Sequence, residues 1–102
     1  MEMYLISDNV DTLTGLRMVG IPGVLVHSRE ELDMVLDDVL QNPDIGILLV
    51  IEKLAKLYPE PIRNIKLNRS VPLLVEIPDR HGTGRAPDFI TAYVREAIGV
   101  KL

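Results

Sequence analysis

From residue 45 to 50 the chain reads IGILLV, and from 71 to 77 it reads VPLLVEI, two nearly unbroken runs of Ile, Leu and Val. A strand with one face in water alternates apolar and polar residues. A run without that alternation needs apolar cover on both faces, the condition of a strand inside a parallel sheet. Two further apolar runs precede them, MYLIS (3–7) and GVLVH (23–27). Parallel neighbours cannot be joined by a tight turn, so the intervening stretches have to be crossovers, and these carry helix signals.

The second crossover is the clearest. Ser28 and Glu31 form an S-x-x-E capping box, after which Leu32, Val35, Leu36, Val39 and Leu40 recur at helical spacing. Glu30, Asp33, Asp37 and Asp38 fill the opposite face as a solvated surface, and Asn42-Pro43 closes the helix. The first helix is expected from Asp11 or Thr12 to a left-handed cap at Gly20. Gly15 within it costs about 1 kcal/mol relative to Ala, which suits close backbone packing. The stretch EKLAKLYPEPIRNIKLN contains Pro59 and Pro61 and is expected to form two short helices, before and after that pair. A last helix runs from about Pro87 to Ile98, closed by Gly99.

The resulting order, β-α-β-α-β-α-β-α, predicts an α/β fold: a four-stranded parallel sheet in order 2-1-3-4 with helices on both faces. The arrangement is flavodoxin- or receiver-like without the fifth strand, and ends in a C-terminal helix. In a chain of 102 residues this is a single domain over 1–102, with a sheet core at 1–77, an irregular loop at 78–87, and a helix and tail at 88–102.

Composition narrows the functions. With 47% hydrophobic residues the chain can bury a core unaided. It contains no cysteine, which excludes disulfides, thiolate metal sites and cysteine nucleophiles and fits a cytosolic protein. The formal net charge of −4, with no Trp and one Phe, argues against nucleic acid and anionic membrane as partners. No apolar run approaches the roughly 18 residues that span a bilayer, and no secretory signal is expected.

Ligands in open parallel sheets bind beyond the carboxyl ends of the strands. Ser7, Asp8, Asn9 and Asp11 fall there after the first strand, Ile51, Glu52 and Lys53 after the third, and Pro78, Asp79, Arg80 and His81 after the fourth. A phosphate-accepting receiver needs paired acids after its first strand and an aspartate ending its third. Asp8 and Asp11 approximate the pair, but the third strand ends LLVIEK. Neither G-x-G-x-x-G nor G-x-x-x-x-G-K-[ST] occurs, so no nucleotide cradle is expected. The simpler reading is that Asp8, Asp11 and Thr12 satisfy turn and helix-start N–H groups. HGTGRA (81–86), flanked by Arg80 and containing Arg85, reads as a surface loop. His27 and His81 are too few for a metal site, and Glu52 with Glu76, the remaining carboxylate pair, includes a residue better read as exposed on strand four. No catalytic residue, cofactor or metal site is expected.

The run DNVDTLTGLRMVGI resembles the opening motif of the F subunit of V-type and A-type rotary ATPases, through Asp8, Asp11, Thr12, Gly15, Arg17 and Gly20. DIGILLVIEKLA (44–55), PLLVEIPDRHGTG (72–84) and VREAIGVKL (94–102) follow in the family's order. Leu16, Val19 and Ile51 depart from the pattern as core-type exchanges, Leu16 mattering if it meets a partner. The resemblance implies a noncatalytic component of the central rotor stalk. Such a protein binds the coiled-coil axle, the D subunit, neighbours the catalytic hexamer and other stalk subunits, and supports coupling of ATP hydrolysis or synthesis to ion transport. It also implies a cytoplasmic, membrane-peripheral location, reaching the membrane only through the complex. The alternatives are a receiver-like phosphoacceptor and a small self-associating binding module. Partner contact is expected on the last helix, where Phe89, Ile90, Tyr93, Val94, Ala97 and Ile98 make a broad apolar band, with Arg17 and the 78–87 loop as secondary candidates. The same band would equally serve the sheet edge or self-association.

Overall fold

The computed structural model describes residues 2–78. These form β1 (Glu2–Ser7), α1 (Val10–Met18), β2 (Gly23–Leu25), α2 (Arg29–Gln41), β3 (Ile45–Ile51), α3 (Glu52–Leu57), α4 (Pro59–Asn68) and β4 (Leu73–Ile77). The expected last helix and nearly all of the expected loop lie outside the described residues.

The sheet is parallel throughout, in the expected order β2-β1-β3-β4. Its register brings Leu5 opposite Leu49 and Gly23, and Ile51 opposite Ile77. All of β3 is buried, which accounts for its unbroken apolar run. Alternate residues serve two different cores. Ile6, Leu48, Val50 and Leu74 meet Leu32, Leu36 and Val39 of α2, Leu54 of α3, and Ile62 and Ile65 of α4. Leu5, Ile47, Leu49, Ile51 and Ile77 share the other face with Leu13 and Leu16 of α1. Burying one such Leu or Ile contributes about 1.5–3 kcal/mol, so this strand periodicity is the main local determinant of the fold.

Helix boundaries follow local chemistry and correct the sequence reading in several places. α2 starts as expected: Ser28 Oγ accepts from the Glu31 N–H at 3.1 Å. The returning Glu31 carboxylate accepts from the His27 N–H at 2.8 Å, one residue before the cap. α1 begins at Val10, earlier than expected, because Asn9 is its cap. It ends at Met18, and Gly20 takes φ +90°, the left-handed conformation anticipated there. The two prolines do not separate α3 from α4. The break comes at Tyr58, and Pro59 and Pro61 sit in the first turn of α4, where a missing N–H costs no helical bond. β2 ends at Leu25, leaving His27 exposed two residues beyond it.

Candidate functional site

Among the described residues, the rim beyond β1 and β3 carries a continuous polar network. At the end of β1, Ser7 is fully buried, and its Oγ both donates to the Asn9 carbonyl and accepts from the Asn9 N–H, each at 3.0 Å. That small loop turns the Asn9 side chain onto α1, where its Oδ1 accepts from the Thr12 N–H at 2.7 Å. The Asn9 amide donates in turn to Asp8 Oδ1 at 3.4 Å. The other carboxylate oxygen of Asp8 pairs with Lys53 Nζ at 3.2 Å, from the first turn of α3.

This geometry reassigns roles expected from the sequence. The helix-start acceptor is Asn9, not Asp8 or Thr12. Asp8 instead serves as the counter-ion of Lys53, its side chain 14% exposed against 56% for the lysine. Thr12 is buried, and its Oγ1 has no hydrogen-bond partner among the described residues. Asp11 stands exposed in the first turn of α1, a position favoured by the helix dipole.

Chemically, both oxygens of Asp8 are engaged, one by an ammonium and one by an amide. A divalent cation would have to displace the Lys53 charge, and a phosphoacceptor would lack the second free acid beside it. Glu52 lies 3.9 Å from Lys56, and Glu76 pairs with Lys66 of α4, so the two carboxylates answer to different lysines rather than to each other. Glu76 is correspondingly half-buried rather than the exposed strand residue expected. Among the described residues, no three His, Asp or Glu side chains gather as a metal site would require.

Of the residues expected to meet a partner, Arg17 is exposed in the last turn of α1. Phe89, Ile90, Tyr93, Val94, Ala97 and Ile98 lie outside the described residues. Leu16 is fully buried against the sheet, which removes it as a contact candidate, and Ile51 is a core residue as expected. Val19 is not: it is 48% exposed beside Met18 at 78%, because the helix has ended and the chain turns outward toward Gly20. Helical periodicity extended one residue too far hides this small apolar patch next to Arg17. The acids of α2, read as a solvated face, border a groove against α4 that contains Asp33, Asp37 and Glu60. No single-helix pattern reveals it, since its two walls are distant in sequence.

The family model described as ATP synthase (F/14-kDa) subunit matches residues 3–94. The chain is similar to the F subunit of the A-type ATP synthase of Pyrococcus furiosus, at 31% identity covering 100% of this chain and 98% of that protein. It is also similar to those of Thermococcus kodakarensis, at 29% identity over 100% and 98%, and Methanocaldococcus jannaschii, at 28% over 100% and 99%. With the strand order, the capped helices and this end-to-end agreement all in hand, the chain belongs to the family of the ATP synthase F/14-kDa subunit.

Proposed function

We propose that this protein is a noncatalytic component of the central stalk of a rotary ATPase or ATP synthase, binding the long helical axle (the D subunit) and turning with it. In this reading it transmits rotation between the catalytic hexamer and the ion-translocating part of the complex. It sits on the cytoplasmic face of the membrane and touches the bilayer only through its neighbours. No described helix is long and apolar enough to cross a membrane. The observation that carries the proposal is the similarity, along the whole chain, to proteins called the F subunit of A-type ATP synthases. Asp8, held by Lys53 at 3.2 Å, is not free as a phosphoacceptor, which favours this reading over the receiver-like one.

The apolar band of Phe89, Ile90, Tyr93, Val94, Ala97 and Ile98, together with Arg17, is the contact we assign to neighbouring subunits. Co-expression with the axle protein and size-exclusion chromatography test the proposal. A one-to-one complex is expected, and two separate peaks at micromolar concentration would overturn it. Phe89→Asp and Tyr93→Asp are expected to weaken the complex with the sheet still folded. Loss of the circular dichroism signal in those variants would instead assign both rings to the core.

A further inference from the structure

We propose that the groove between α2 and α4 seats a basic, amphipathic helix of the axle protein, an inference that rests on the axle reading above. The groove is open to solvent and has a volume of about 670 Å³. Leu36 and Ile65, both buried, form its base, and the half-buried Leu40 and Pro61 add apolar area along it. Its polar lining is dominated by acids from two elements: Asp33 and Asp37 of α2, and Glu60 of α4. Asp33 is answered within the chain by Arg29 at 3.1 Å. Among the described residues, no cation lies within ion-pair distance of Asp37 or Glu60.

The energetics of α2 taken alone disfavour this arrangement. The helix carries Glu30, Glu31, Asp33, Asp37 and Asp38 against one base, Arg29. Its first-turn acids suit the positive end of the dipole. Asp37 and Asp38 lie in the C-terminal half, where a cation is preferred, and the last turn has no basic residue. Asp33, Asp37 and Glu60 are all exposed, so their charge is open to a cation brought from outside. A furrow between two helices is linear, and α2 is about 20 Å long at 1.5 Å per residue. The complementary shape is another helix, with a narrow apolar stripe for Leu40 and Pro61 and Lys or Arg on its flanks for Asp37 and Glu60. The same charge repels nucleic acid and anionic lipid.

The test uses the full chain and the axle protein, with affinity measured by calorimetry at low and at physiological salt. The double variant Asp37→Lys, Glu60→Lys is expected to lose about tenfold or more in affinity at low salt and to show a flattened salt dependence. Circular dichroism and thermal melting check its fold. If it fails to fold, Asp37→Asn with Glu60→Gln removes the charges with little change in shape and is expected to lose affinity in the same direction. A photoreactive side chain in place of Asn64, which also lines the groove, is expected to cross-link to a segment of the axle rich in Lys or Arg. Wild-type affinity in the charge variants, or cross-links only to acidic or purely apolar segments, overturns the groove and leaves the axle reading standing. Failure of the unaltered chain to bind the axle removes that reading, and with it the occupant assigned to the groove.

Discussion

Gly23 is paired with Leu5 across β1 and β2, and a β-carbon built on it would stand 2.7 Å from the Leu5 carbonyl oxygen and 2.8 Å from the Leu5 Cβ. Backbone cannot retreat as a flexible side chain does. Gly23→Ala should therefore cost about 1–3 kcal/mol, as overpacking does elsewhere, seen as a lower denaturant midpoint. Thr12 predicts the opposite sign. Its buried Oγ1 has no partner among the described residues, and such an orphan costs about 1–3 kcal/mol when desolvated. Thr12→Val keeps the shape and removes the hydroxyl, so chemical denaturation should report a gain of about 1 kcal/mol. The sequence does not assign the α1 cap for a reason visible at the same scale. Ser7, Asp8, Asn9 and Asp11 all have side chains able to cap; the Ser7 hydroxyl turns Asn9 onto α1, while Asp8 pairs with Lys53 from a distant part of the chain.

Elements whose ends are fixed by short-range spacing are the most legible. The Ser28–Glu31 box needs only three residues of separation and a following apolar stripe, and α2 starts where that pattern says. Ser28→Ala should cost about 1 kcal/mol, the usual value of a lost side-chain cap, measurable as a reduced melting temperature. The unbroken apolar character of β3 is equally legible, because burial on both faces leaves no other use for such a run. Pro59 and Pro61 suggest a divider yet open a helix. A proline is excluded from the helix interior and favoured in its first turn, and the sequence alone does not say which side of the pair the break occupies. Val19 misleads for a similar reason: helical periodicity does not announce the residue at which the helix stops.

For the molecule as a whole, the order of strands is legible, since two alternating faces and crossover helices leave few ways to wind four strands. The rim is legible only as a set of residue types; what each does depends on partners brought together by the winding. With both oxygens of Asp8 engaged, incubation with acetyl phosphate and magnesium should add no phosphoryl group to the folded protein. Intact mass spectrometry checks this, and a mass increase abolished by Asp8→Asn would reopen the phosphoacceptor reading.

The brevity of β2 has a bearing on life in a crowded assembly. Three residues long, it forms one margin of the sheet, drawn tight by the Gly23 contact with Leu5 and by the bond from the Val26 N–H to the Ser7 carbonyl at 2.8 Å. So short a border gives a stray chain too few rungs to zip onto, so this flank resists unwanted annexation by neighbours packed at close quarters.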